Sequence, residues 1–288
     1  MSSCGAPTLV APNGLTYRVQ GDPDGAPVVV LHGTPGSRFS GTPAADALHR
    51  LGLRVVTFDR PGYGDAPVEE IRRVAELAED VLDVVEDAGL HGPLGVLGGS
   101  GGSAVALAFA VRHPERVAAV TLVHPVAPVE ESGGSPAMGR DAWLVGMDEQ
   151  QQGLHRLARE DPRYLQQQLV ALLGPGSGAA GIVTDMAQVQ EPWGLDPEDV
   201  RCPVDLWWGA DSFASPAGHA RWLLDRLTAA GSPVHQHPQQ GPVWPGQRLT
   251  EMFQVLGSRI GAVPRTAEEL AAGAGSGGCG GGACACGA

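Results

Sequence analysis

The chain has 288 residues, 43% of them hydrophobic and 18% charged, which is enough apolar material for one large core and too little charge for a disordered chain. Its 32 acidic residues outnumber 19 basic ones, for a formal charge of -13, and no Lys/Arg cluster or aromatic-basic alternation is available to neutralise phosphates, so a nucleic-acid partner is not expected. The first seven residues, MSSCGAP, lack the basic and apolar regions of a secretory leader, and no apolar run approaches the roughly 18 residues of a membrane span; no membrane association and a cytoplasmic location are expected.

In chain order, residues 15–19 alternate as a strand, and Asp22-Pro23-Asp24-Gly25 is a turn leading into the buried strand Val28-Val29-Val30-Leu31. A short helix over 44–51 precedes a strand over 53–58, and a turn follows at Arg60-Pro61-Gly62-Tyr63-Gly64. From Pro67 a helical pattern places Ile71, Val74, Ala78, Val81, Leu82 and Val85 on one face, with Gly89 as its stop. The apolar run 94–97 then meets Gly98-Gly99-Ser100-Gly101-Gly102-Ser103, followed by the small-residue helix 104–111.

After His113-Pro114, residues 117–123 read as another apolar strand. Continuously apolar strands alternating with helices predict an α/β fold, with a mostly parallel sheet covered on both faces and its site at the carboxyl ends of the strands. Residues 125–200 change to polar, helix-like segments, read as a helical cap inserted over the sheet. The strand–helix rhythm resumes with a strand over 204–208, a helix over 217–230, a strand over 234–237 and a helix over 249–260. The expected organisation is a core of 1–124 and 201–262, a cap of 125–200 and a flexible tail of 263–288, which from Ala271 is nearly all Ala, Gly, Ser and Cys.

Five cysteines, Cys4, Cys202, Cys279, Cys284 and Cys286, are odd in number and crowded at one end, so reduced thiols rather than a disulfide framework are expected. A glycine-rich tail without histidine gives poor support for a structural zinc site.

Gly98-x-Ser100-x-Gly102 fits a nucleophile elbow, where a strand turns sharply into a helix and holds one serine in a strained conformation. Gly98 and Gly102 lack the Cβ that would clash in that turn, and Gly101 offers its amide to an oxyanion beside Ser100. Taken alone, the hexapeptide reads equally well as a glycine-rich loop without chemistry.

With His32-Gly33-Thr34-Pro35-Gly36 after the first buried strand and Asp59-Arg60-Pro61-Gly62-Tyr63-Gly64 after the next, the ordered set resembles the α/β-hydrolase superfamily over residues 15–260. The resemblance is specifically to its small esterase and proline-iminopeptidase-like members with a helical cap. The resemblance implies Ser100 as nucleophile, backbone amides of Thr34 and Gly101 as the oxyanion hole, a small hydrophobic ester or amide as substrate, and no cofactor or metal. His32, Asp59 and Arg60 are expected to order their loops.

The remaining triad positions depart from the family pattern. Where the family has its acid, the stretch Gly209-Ala210-Asp211-Ser212 holds Ser212, with Asp211 one residue early; Asp211 is either the shifted acid or a turn residue. Where the family has its histidine, Gln239-Gln240-Gly241-Pro242 holds Pro242, which cannot accept a proton. A serine hydroxyl is a weak nucleophile without an adjacent base. His124, ending the strand beside the elbow, is the first choice of base, ahead of His235 and His237, although a purely structural histidine is the plainer reading of each. Two functions follow: a hydrolase with a rearranged site using Ser100, His124 and Asp211, or a non-hydrolytic binding protein, lyase, isomerase or cyclase that has lost the relay. Oligomeric state is left open. A third idea is that the Cys/Gly-rich tail binds a partner or metal.

Overall fold

The computed structural model describes residues 7–67, 69, 70, 72–128, 181, 184, 185, 188, 192–209, 217–239 and 245–270. Among these an 8-stranded sheet runs in the order β1-β2-β4-β3-β5-β6-β7-β8. The strands are β1 (Leu9–Val10), β2 (Thr16–Gly21), β3 (Ala26–Leu31), β4 (Leu53–Phe58), β5 (Leu94–Gly99), β6 (Val117–Val123), β7 (Val204–Gly209) and β8 (Val234–Gln239). β1 and β2 pair antiparallel at one edge, and every pairing from β4 through β8 is parallel. The two-residue β1 is too short to carry a periodic signal and was not foreseen.

The central strands read as unbroken apolar runs because both of their faces are covered. Along β3, Val29 and Leu31 enter one core with Val56, Phe58 and Val96, while Val28 and Val30 enter a second core with Leu53, Val55 and Leu97. The first core is closed by α2 (Leu77–Asp87), α3 (Gly101–Arg112) and α4 (Ala217–Ala229). The second is closed by Leu48 of α1 (Ala45–Arg50) and by Met252, Phe253 and Leu256 of α5 (Pro245–Arg259). All ten residues from Gly101 to Ala110 are buried, so α3 needs small side chains all round rather than a single apolar stripe.

The helix expected from Pro67 starts later. Residues 69, 70, 72 and 73 are not helical, Val74–Glu76 is a single 3-10 turn, and α2 begins at Leu77. Tertiary contacts override the local periodicity: Arg72 reaches forward to both carboxylate oxygens of Asp80, and the Ala75 amide donates to the Trp193 carbonyl over 3.0 Å. Gly89 does end the helix, at φ 73°, a region open to glycine at little cost.

Residues 263–270 of the expected tail are among the described residues. Arg265 binds Asp22 through its side chain and the Arg50 carbonyl through its amide, and residues 267–270 are helical. Residues 271–288, with Cys279, Cys284 and Cys286, lie outside the described residues. So does most of the expected cap, apart from 125–128, the helical residues Gly181, Thr184, Asp185 and Gln188, and 192–200. No helix among the described residues is long and apolar enough to cross a membrane.

Candidate active site

The sheet register brings the carboxyl ends of four parallel strands together. Leu31 lies opposite Gly98, Gly99 opposite Val123, and Val123 opposite Trp207. The residues that follow, His32, Ser100 and His124, therefore emerge on one rim of the sheet.

Ser100 is the N-cap residue of α3, with φ 46° and ψ -121°. A non-glycine residue at positive φ is uncommon and costs on the order of 1–3 kcal/mol, a cost that persists only where the surroundings fix it. Here they do. A Cβ on Gly98 would stand 2.6 Å from the Gly102 carbonyl oxygen and 2.7 Å from Ala106 Cβ, and one on Gly102 would stand 2.5 Å from the His32 carbonyl oxygen. The turn is tied down from both sides: the Ser100 amide donates to the Val123 carbonyl (2.9 Å), while Ser103 Oγ donates to the Ser100 carbonyl (2.5 Å) and accepts from the Val126 amide (3.1 Å).

The 32–36 loop lies across the elbow. A Cβ on Gly33 would sit 3.2 Å from Ser100 Cβ, and the space beside Gly101 is filled by Thr34 Oγ1. The Thr34–Pro35 peptide is cis. Thr34 and Gly101 are thus neighbours on the Ser100 rim, and the amide of Gly101 belongs to the first turn of α3, where N–H groups have no intrahelical acceptor and the helix dipole favours negative charge.

His32 is fully committed to its loop. Its Nδ1 lies 2.8 Å from the Gly33 carbonyl oxygen and its Nε2 accepts from the Arg60 amide at 3.1 Å, a pattern that requires the neutral Nδ1–H tautomer. Burial, then the neighbouring Arg60 charge, pushes its pKa down to about 3. Asp59 is likewise consumed: it accepts from Thr16 Oγ1 (2.8 Å), the Arg38 amide (2.6 Å), the Arg38 guanidinium and the Asp65 amide (3.1 Å).

Arg60 carries more than loop order. Its Nε donates to the His32 carbonyl (3.1 Å) and its two terminal nitrogens grip both oxygens of Asp185 at 2.5 and 2.6 Å. Tyr63 Oη donates to the same carboxylate at 2.6 Å, and Thr34 Oγ1 donates to it as well. Burial would raise the Asp185 pKa, but Arg60, Thr34 and Tyr63 outweigh it and hold the carboxyl below the usual range. The Asp185 Oδ2 atom stands 3.6 Å from where a Gly101 Cβ would be. Nothing in the sequence reading singled out Asp185; the available signal was Arg60 itself, a guanidinium in an apolar turn that needs a counter-ion once buried.

His124 follows β6, with φ 47°, and its amide donates to the Trp207 carbonyl (2.8 Å). His235 and His237 lie within β8. His237 Nε2 sits 2.9 Å from Asp205 Oδ1, and its ring stacks on Trp207 at 4.0 Å. Asp211, Ser212 and Pro242 lie outside the described residues. Among the described residues no group of three or more His, Cys, Asp or Glu could hold a metal ion.

A sequence model of the alpha/beta hydrolase fold family matches residues 26–173. Epoxide hydrolase B of Mycobacterium tuberculosis is 39% identical over 102 residues, covering 34% of this chain and 28% of that protein. Proline iminopeptidase of Neisseria gonorrhoeae is 36% identical over 112 residues, covering 38% of this chain and 35% of that protein; the chain thus aligns with only about a third of the length of these relatives. An alpha/beta hydrolase fold protein from Nakamurella multipartita superposes with a TM-score of 0.63 at 22% identity, covering 89% of this chain and 100% of that one. With the sheet order, the elbow and the family match in agreement, the chain belongs to the alpha/beta hydrolase fold family.

Proposed function

We propose that the protein is a hydrolase or acyl-transfer enzyme acting on a small hydrophobic ester, amide or similar molecule, with Ser100 as nucleophile. The observation that carries this reading is the strained backbone of Ser100, φ 46° and ψ -121°, at the junction of β5 and α3. Strain of this kind persists where it serves to project a side chain. The 32–36 loop laid against Ser100 and Gly101 supports it, as do relatives whose names describe hydrolases.

In this mechanism Ser100 Oγ attacks the substrate carbonyl carbon as its proton passes to His124. The carbonyl π electrons move onto oxygen, where the backbone amides of Thr34 and Gly101 receive the charge; each such donor is worth roughly 3 kcal/mol. Collapse expels the leaving group, which takes the proton from the imidazole, and water then releases the acyl group by the same steps. Asp211 is proposed to orient His124, and residues 125–200 to cap the pocket. No cofactor enters.

Reaction with a fluorophosphonate probe tests the assignment. Wild-type protein should gain one adduct at Ser100 and Ser100→Ala none. A folded wild-type protein that stays unlabelled would reject the nucleophile.

The second reading, a non-hydrolytic enzyme or binding protein, is favoured by one observation. Thr34 Oγ1 donates to an ionised carboxylate beside Gly101, so negative charge already stands next to the proposed oxyanion position, offset by Arg60. If the folded wild-type protein stays unlabelled and Ser100→Ala leaves ligand binding and any turnover intact, this reading replaces the first.

A further inference from the structure

We infer that Asp185 is a positioning residue for the oxyanion loop, so that seating of the helical segment that carries it completes the Ser100 site. Two loops distant in sequence from Asp185 meet at this one carboxylate. Arg60 and Tyr63 come from the turn after β4, Thr34 from the loop after β3, and all donate to Asp185. Arg60 in turn holds the backbone of the oxyanion loop through the His32 carbonyl at 3.1 Å and the Gly33 carbonyl at 3.3 Å, and it donates to Thr34 Oγ1 at 3.3 Å.

The second observation is how closely the segment is seated. Gly181, one turn before Asp185, lies against the Tyr63 ring so tightly that a Cβ there would come 2.7 Å from Cε2 and 2.8 Å from the Gly62 carbonyl oxygen. Gly181, Asp185 and Gln188 are all buried, and their spacing of four and three residues is one face of a helix. Gly181 therefore brings the segment in, and Asp185 makes the connection.

The consequence for the site is geometric. Thr34 has its hydroxyl held by Asp185 and Arg60 on one side and pressed on Gly101 on the other. With the side chain fixed at both ends, the Thr34 backbone, and so its amide, keeps one distance from Gly101 and Ser100. Without Asp185, Arg60 has no carboxylate to grip, and the 32–36 loop loses the restraint that faces away from the sheet.

The test uses the full chain with Asp185→Asn, Asp185→Glu and Thr34→Val, read by two measurements. Hydrogen exchange of the peptide containing 32–36 reports loop order whether or not Ser100 reacts. The kinetic arm rests on Ser100 being the nucleophile: fluorophosphonate inactivation is resolved into the maximal rate and the reversible binding constant. Asp185→Asn should accelerate exchange at 32–36 and slow the maximal inactivation rate about tenfold or more, since small misplacements of catalytic groups have effects of that size, with the binding constant moved less than about threefold. Asp185→Glu should recover part of the rate. Thr34→Val, which leaves the Arg60–Asp185 pair intact, should speed exchange in the same peptide; if Asp185→Asn does not fold, this variant decides. Exchange at 32–36 unchanged in the folded variants overturns the inference. A wild-type protein that does not label overturns the nucleophile instead, and the exchange measurement still decides the role of Asp185.

Discussion

The Ser100 amide donates to the carbonyl of Val123 over 2.9 Å, and the next residue along β6 is His124. The strained elbow and the proposed base are therefore joined through one peptide unit, and both sit at positive φ, 46° and 47°. His124→Asn tests the base cleanly because Asn tolerates the left-handed region. Fluorophosphonate labelling of Ser100 should slow by about 100-fold to 10,000-fold, the range of general-base catalysis, with the melting temperature little changed. Labelling at the wild-type rate would remove His124 from the mechanism.

Gly102 is required for steric reasons that are independent of chemistry. An added methyl would meet the backbone oxygens of Leu31 and His32, and backbone cannot swing aside as a long side chain can. Gly102→Ala should lower unfolding free energy by about 2 kcal/mol or more, in the range for overpacking a close-packed site. Gly92→Ala is the control, since nothing lies within 4 Å of its would-be Cβ, and it should fall within about 0.5 kcal/mol of wild type. Urea titration of both variants measures the contrast.

His32 makes folding pH-dependent. Its pKa is held at about 3 in the folded protein, against an ordinary 6.5, so between those values the unfolded chain binds a proton that the folded chain does not. Stability contributed by neutral His32 is complete above about pH 6.5 and declines as pH falls toward 3, by about 5 kcal/mol at most over the whole window. His32→Gln should be less stable at pH 7 but should flatten this slope. Urea unfolding of both proteins between pH 7 and pH 5 measures it, and equal slopes would show that His32 does not bear the linkage.

Cys202 is buried, and burial raises its pKa to about 11. A thiol kept protonated and out of solvent reacts slowly. Brief treatment of the native protein with iodoacetamide at pH 8, followed by peptide mass mapping, should leave Cys202 unmodified; denaturation should make it reactive.

Strands were readable because covering both faces of a parallel sheet demands largely apolar runs: β3 and β6 appear in the sequence as such runs, and β4 and β7 carry one charged residue each, Arg54 and Asp205. Helix onset was less readable. Pro67 and the spacing of Ile71, Val74 and Ala78 satisfy helical rules locally, yet Arg72 bonds Asp80 and Ala75 bonds Trp193, a partner 118 residues away that no local rule contains. The elbow was visible because a sharp strand-to-helix turn needs glycines at a fixed spacing: Gly98 closes on Gly102 and Ala106 of its own segment, and Gly102 on the backbone of Leu31 and His32. Asp185 was not, because its importance lies in Arg60, Tyr63 and Thr34, each more than 120 positions distant.

The fold also dictates where the far end of the chain is attached. Gly52, at φ 64°, lets the backbone of Val263 cross against it, and Arg265 fastens the strap to Asp22, beside the amino ends of β3 and β4. Ser100 stands at the carboxyl end of the parallel sheet, about 20 Å away by the length of a six-residue strand. A tag or surface tether joined after Leu270 therefore starts beside the amino ends of β3 and β4, so protein immobilised that way holds the Ser100 end of the sheet away from the surface.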